Sequence, residues 1–217
     1  MATAMTYASL KADIARYLER GLTEASDPTV YNEIPTFIGF CERRLARQLK
    51  IQGTTEIVTT TMAAGTSVYA KPDRWRDTIS FNFGDGTTFN ERTPIFGRSY
   101  EYCRNLWPNE TLRSKPRFYA DYGYQHWLIS PTPDRAYPFE VLYYALPPLL
   151  GDDLQTNWLT EYAPQALLYG SLLEATPFLK NDERIGTWKA YYDEAVALLA
   201  SEDAQKIIDR NAQRREA

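Results

Sequence analysis

The 217-residue chain predicts an α+β protein: an antiparallel helix bundle, with two N-terminal and two C-terminal helices, and an inserted, mostly antiparallel β domain. Three features point there. Apolar residues recur at three and four over 6–50 and again over 157–199, the period of a helix packed on one side. From Gly53 to Ala145 the pattern changes to short runs rich in β-branched and aromatic residues, separated by Gly, Pro and Asp. The connections within that middle segment are too short for helical crossovers, so its strands pair mostly antiparallel. The implied boundaries are 1–53 for the N-terminal helix pair, 54–145 for the β domain, 146–205 for the C-terminal helix pair and 206–217 for a polar tail.

Each element has a local cause. In 6–20, Leu10, Ile14, Tyr17 and Leu18 share one helical face, and Gly21 stands where a helix stops. Residues 22–29, with Pro28, read as a loop. Over 30–50, Val30, Ile34, Phe37, Ile38, Cys41, Leu45 and Leu49 keep helical spacing. Pro35 fits only a first turn, so regular helix starts near Asn32. Arg43, Arg44, Arg47 and Lys50 crowd the last turns. Cations there offset the helix dipole; contact with phosphate or with an acidic neighbour is the competing reading.

Strands are predicted over 54–61, 66–70, 78–83, 87–93, 118–122, 125–130 and 137–145, with a hairpin at Gly84-Asp85-Gly86. Residues 98–107 predict a short helix, broken by Pro108-Asn109. Pro147-Pro148 makes 146–155 an extended bridge. The third helix spans 157–179, capped by Thr156 or Asn157, with Pro164 early in it. Ala166 and Gly170, four apart, let another helix come close, and Thr176-Pro177 ends or kinks the segment. Asn181-Asp182 caps the fourth helix, whose face is Ile185, Trp188, Tyr192, Ala195, Val196 and Leu199. Residues 201–217 stay compatible with helix, but apolar residues thin to Ile207 and Ile208, and the end is expected to be disordered alone.

Composition removes several functions. At 44% hydrophobic residues, the chain is ordinary for a folded domain, so general disorder is excluded. No run approaches the 18 or so apolar residues of a transmembrane helix, and the N-terminus lacks the basic start and apolar block of a secretory signal. Cys41 and Cys103 are the only cysteines and His126 the only histidine. That leaves no disulfide framework or imidazole-rich metal site, and it points to a reducing compartment. A net charge of −4 argues against a dedicated nucleic-acid binder. The charge is uneven: 146–205 holds 3 basic and 10 acidic residues, whereas 206–217 holds 4 basic and 2 acidic. An acidic stretch is ordinarily a solvated helical face; the alternative is a surface that repels DNA or meets a basic partner.

No GxSxG, HExxH, GxxxxGK[ST] or CxxC motif is present. His126, in a strand beside Trp127, reads as structural. Cys103 has Arg104 beside it but no evident relay, and Asp134 and Asp152-Asp153 read as ordinary loop acids. No catalytic, cofactor or metal residue is predicted. Aromatic residues number 5 Trp, 16 Tyr and 9 Phe, and they concentrate between Tyr100 and Tyr144. That is more than one face of a sheet can hide. The surplus reads as oligomer-interface anchors, or else as a stacking platform for carbohydrate or single-stranded nucleic acid.

One stretch carries a family likeness. Thr156-Asn157-Trp158-Leu159, Ala163-Pro164, Leu168-Tyr169-Gly170, Leu173-Glu174-Ala175, Pro177-Phe178 and Trp188 with Tyr191-Tyr192 follow one another in 146–199. In that order they resemble phage head-to-tail adaptor (connector) proteins related to the tail tubular protein A of short-tailed phages. The strand pair HWLISPTP and FEVLYYA and the N-terminal helices are similar as well. The resemblance implies a non-enzymatic virion protein at the head–tail junction, assembled in the bacterial host cytoplasm. It also implies a homo-oligomeric ring of about a dozen copies, built on heterologous contacts. The ring would meet the portal protein and a downstream tail or nozzle protein, with packaged DNA passing through and no membrane or cofactor involved. The acidic 146–205 segment suits a channel wall that must not grip phosphate. In the tail, Ile207 and Ile208 are expected to anchor on the portal, with Arg210, Arg214 and Arg215 pairing to acidic groups; a frayed terminus is the plainer reading.

Overall fold

The computed structural model describes residues 4–20, 23–49, 52–84, 91–179 and 183–213, with side chains for all of these except Gln52 and 202–213. In chain order the elements are α1 (Tyr7–Tyr17), α2 (Pro28–Tyr31), α3 (Ile34–Gln48), β1 (Thr55–Met62), β2 (Val68–Ala70), β3 (Trp75–Gly84), β4 (Arg92–Gly97), α4 (Tyr100–Leu106), β5 (Phe118–Tyr122), β6 (His126–Ser130), β7 (Tyr137–Ala145), α5 (Trp158–Tyr162), α6 (Pro164–Leu179) and α7 (Ile185–Gln213). The chain divides into two compact units: 1–54 with 146–217, and 55–145.

In the helical unit, Thr6 opens α1 with a reciprocal cap. Its hydroxyl accepts from the Ser9 N–H at 3.1 Å, and the Ser9 hydroxyl accepts from the Thr6 N–H at 2.9 Å. The segment expected to be a loop before Val30 contains one helical turn, α2, because Asp27 caps it and Pro28 presets its first dihedral. Pro35 does fall in the first turn of α3. The expected single helix over 157–179 is two. Ala163, placed before a proline, is pushed to φ −134°, ψ 41°, and the helix restarts at Pro164. Gly21 and the Asn181-Asp182 cap lie outside the described residues.

The helices are not the expected bundle of two plus two. Helix α6 is apolar on nearly all sides, burying Ala166, Leu167, Leu168, Gly170, Ser171, Leu172 and Ala175, and it packs against α1, α3, α5 and α7. A helix without a polar face belongs in a centre, not at one corner of a bundle. Gly170 is the closest point of approach. A Cβ there would sit 2.4 Å from Cys41 Sγ and 2.9 Å from the Tyr192 ring.

The sheet unit corrects the expected fold further, because its sheet is a large, nearly closed seven-stranded one and not a modest insertion. The strand order is β1-β7-β3-β4-β5-β6-β2, antiparallel except for the β4–β5 pair. Its edge strands, β1 and β2, are joined by residues 63–67 alone, so the sheet must curl until its edges nearly meet. Tyr69 on β2 accordingly lies edge-on to Phe139 on β7, with ring centroids 5.7 Å apart. The joining turn is pinned: the Tyr69 hydroxyl accepts from the Ala63 N–H at 2.9 Å and donates to the Thr66 carbonyl at 2.8 Å. Gly65, at φ +78°, supplies the left-handed turn residue. Strand alternation in a sequence shows which residues share a face, but not that the two edges come together.

Aromatic rings fill the interior. Phe81 stacks on Phe139 and on Tyr119, each at 5.2 Å, and meets Trp127 edge-on at 5.6 Å. The indole N–H groups of Trp75 and Trp127 both donate to Thr78 Oγ1, at 3.2 and 3.1 Å. Strand β7 keeps the bounds read from the sequence and alternates, with Tyr137, Phe139, Val141, Tyr143 and Ala145 inward. Strand β6 is covered on both faces: Trp127 and Ile129 face the interior, while Leu128 joins Ala120 and Cys103 of α4 in a second, smaller core. Residues 85–90, which include most of the expected hairpin turn, lie outside the described residues.

Candidate functional site

The structure separates the residues that a catalytic reading would need together. Among the described residues, no group of three or more His, Cys, Asp or Glu is placed to hold a metal ion. Cys103 is buried on the inner face of α4, and burial raises its thiol pKa despite the opposing pull of Arg104 and Arg98. Cys41 donates to the Leu167 carbonyl at 3.5 Å, and burial pushes its pKa up to about 12. Neither thiol is a ready nucleophile. Asp134, in the sheet unit, accepts from the Tyr137 hydroxyl at 2.7 Å; Asp152, in the helical unit, lies 3.7 Å from Lys11 Nζ.

In the sheet unit, residues 71–75 and 124–126 line a shallow pocket of about 270 Å³, with His126 at its edge. Its base is Lys71, whose side chain is only 2% exposed. The Lys71 ammonium sits 2.6 Å from Asp121 Oδ1 and 3.4 Å from the centre of the Trp75 six-atom face. Arg74, at φ +62°, turns the chain there. Held between Asp121 and the Trp75 ring, the lysine braces the loop, and Arg74, 3.8 Å from Glu56, lines the pocket beside it. A lysine-proline-aspartate-arginine-tryptophan run between two strands was its signal in the sequence, and only the pairing with distant Asp121 was illegible.

A second surface of the same unit forms around α4. Ser99 caps this helix by accepting from the Tyr102 N–H at 3.2 Å. The Arg104 guanidinium lies over Tyr100 at 5.3 Å and Tyr122 at 5.9 Å, while Arg98 lies over Tyr102 at 5.6 Å and Phe118 at 5.8 Å. Arg104 is further fixed by an ion pair to Glu110. Tyr100, Tyr102, Leu106 and Tyr122 remain largely exposed. Exposed tyrosine and arginine, held rigid by stacking, are the composition of protein-contact hot spots. The aromatics between Tyr100 and Tyr144 therefore divide: Tyr119, Trp127, Tyr137, Phe139 and Tyr143 pack in the sheet interior, whereas Tyr100, Tyr102, Phe118 and Tyr122 gather at this surface. The four-residue spacing of Arg98 to Tyr102 and of Tyr100 to Arg104 was the available sequence signal.

In the helical unit, the basic cluster of α3 also divides. Arg44 is engaged internally, in an ion pair with Glu174 and 5.9 Å from the Tyr192 ring. Arg43 and Arg47 are exposed beside Phe40 along a groove of about 550 Å³. The sequence reading missed the fully buried Glu42. Its Oε1 accepts from the Leu150 N–H at 3.1 Å and from Asn157 Nδ2 at 2.8 Å, while Asn157 Oδ1 caps α5 by accepting from the Leu159 and Thr160 N–H groups. This carboxylate ties the returning 146–157 segment to α3. Burial raises its pKa above the ordinary glutamate value, against the lowering effect of those two donors.

A packed, motif-poor chain with exposed contact surfaces agrees with the family comparison, in which the model described as SU10 adaptor protein matches residues 5–215. The chain belongs to the SU10 adaptor protein family. Comparison with curated proteins finds no match. SU10 adaptors are phage adaptor proteins, structural rather than enzymatic, and the chain is accordingly a virion component that works against other phage head or tail proteins. No described helix is long and apolar enough to cross a membrane. In this SU10 adaptor the backbone of α7 continues through Gln213, so Ile207, Ile208 and Arg210 stand on helix instead of in the disordered segment expected. No Gly or Pro follows Gly186 to stop it. Arg214 and Arg215 lie outside the described residues.

Proposed function

We propose that this adaptor closes into a ring of about a dozen copies between portal and tail, built on heterologous side-by-side contacts and continuing the DNA channel. The observation that carries the proposal is the family match from residue 5 to 215, which takes in both units and the C-terminal helix. The relation to the tail tubular protein A of short-tailed phages is part of the same reading. Two features support it physically. The sheet unit presents the Arg98–Tyr102 and Arg104–Tyr100 surface, and the helical unit presents Tyr17 and Tyr191 on either side of Tyr169. Two unlike aromatic surfaces are what a heterologous ring contact requires. The excess of acidic residues over 146–205 serves a channel through which DNA slides without being gripped. A lumen lined mostly by Lys and Arg would contradict that part.

In this reading the end of α7 docks on the portal through Ile207, Ile208 and Arg210, with Arg214 and Arg215 beyond it. Light scattering of the full chain, alone and with its phage's portal ring, tests the reading. A mass gain on the portal matching many copies is expected, and single copies in both conditions contradict it. Deleting 206–217 is expected to abolish portal binding, and undiminished binding rules the docking role out.

A further inference from the structure

Two patches of the helical unit carry opposite charge, and one offers an exposed phenyl ring where the other offers an apolar hollow. The first is on α3, where Phe40, Arg43 and Arg47 fall at i, i+3 and i+7, one stripe spanning roughly 10 Å. Phe40 is 53% exposed, although it is a phenyl group on an otherwise well-buried helix. Arg43 Nη1 donates to the Gly39 carbonyl at 3.1 Å, which folds its guanidinium back along the preceding turn. Arg44, the third arginine of the groove, is already spent on Glu174. The second patch is a groove of about 230 Å³ between the α5–α6 break and α7, lined by Tyr162, Pro164, Gln165, Ala195, Leu198 and Leu199. Its rim carries Tyr162 at 61% exposure and Leu198 at 58%. Exposed Glu161 and Glu194 stand next in sequence to the lining residues Tyr162 and Ala195.

The patches are distinct. Glu174, in the α3 groove, belongs to the C-terminal part of α6, whereas Pro164 and Gln165 form its first turn. Ten residues of helix are about 15 Å. One patch is an exposed phenyl ring with two cations, and the other is an apolar hollow flanked by Glu161, next to Tyr162, and by Glu194, one turn before Leu198 on α7. Pro164 breaks the helix beside the hollow, and Tyr162, its ring stacked on Trp158 at 5.4 Å, stands at the rim with its other face open.

Resting on the ring reading above, we infer that the α3 stripe of one copy docks in the α5–α7 groove of the next copy, with Phe40 entering the hollow and Arg43 and Arg47 pairing with Glu161 and Glu194. The occupant is a second copy of this chain because the matching knob and charges are carried by the chain itself. A contact between two different patches leaves one patch free on each copy, a groove on one and a stripe on the other, so it propagates and closes a ring where the rotation between copies allows.

All four charged residues are exposed, so reversing them leaves the fold intact, which far-UV circular dichroism checks. Sedimentation velocity of the full chain, alone and on the portal ring, reads assembly. The basic-face variant (Arg43→Glu with Arg47→Glu) and the acidic-face variant (Glu161→Arg with Glu194→Arg) are each expected to weaken self-association by about tenfold or more. Mixed one to one, they match charge at both alternating contacts, the native pair and the reversed pair, and are expected to recover assembly that neither shows alone. Combining all four substitutions in one chain restores charge matching and is expected to restore assembly. Variants that assemble like wild type overturn the inference while leaving the ring itself standing. So do variants that assemble normally but lose portal binding, since the groove then serves the portal. Wild-type chains that never associate, even on the portal, overturn both.

Discussion

Glu42 shows how much a single buried side chain can organise. It joins helix α3 to the backbone of Leu150 and to the capping amide of Asn157. Replacing it with Leu strands two donors, and the expected loss is roughly 1–3 kcal/mol for each, measured by chemical denaturation. Its pH behaviour follows from the direction of its shift. A group whose folded-state pKa lies above the unfolded value contributes stability that is fully present below the unfolded value and is lost as pH rises through the folded value. The stability of the wild type relative to Glu42→Gln is therefore expected to fall from about pH 4 upward, the ordinary glutamate range. Thermal melts of both proteins across that range check this, and a constant difference contradicts it. Lys71 is the counterpart in the sheet unit. Lys71→Met keeps the stem over Trp75 but removes the charge facing Asp121, and the expected loss is about 1–2 kcal/mol in urea denaturation.

Elements were legible where a local rule decides them and illegible where a distant partner does. Strand β7 was read to the residue because each second side chain is buried, a pattern that survives any arrangement of neighbours. The close approach at Gly170 was read from small residues four apart, and the contacts with Cys41 and Tyr192 give the reason. Gly170→Ala is accordingly expected to cost about 1–3 kcal/mol by overpacking three helices at once, visible as a lowered melting temperature. The break at Ala163 was missed because Pro164 was placed within a first turn of one continuous helix, whereas the pre-proline restriction falls on the residue before it. The curling of the sheet was missed because the 63–67 turn looks like any hairpin; its role comes from joining the two outermost strands. The arginine-on-tyrosine surface at α4 had a helical spacing that sequence alone could have used. The Glu42 and Lys71 clusters join residues 108 and 50 positions apart, which no periodicity reports.

At the level of the whole molecule, the fold presents what a building block needs. The buried thiols have raised pKa values, the acidic residues are dispersed, and the exposed aromatic and arginine side chains are held rigid on two separate units. Rigid anchors lower the conformational entropy lost on association, which matters when many copies must join in one closed structure. The family match extends this from surfaces to a place in the virion. The most direct measurement is electron microscopy of the purified full-length chain mixed with its phage's portal ring. A closed annulus of adaptor, coaxial with the portal and open along its axis, is the expected image. Portal rings left bare, or decorated by isolated copies without lateral contact, contradict the account.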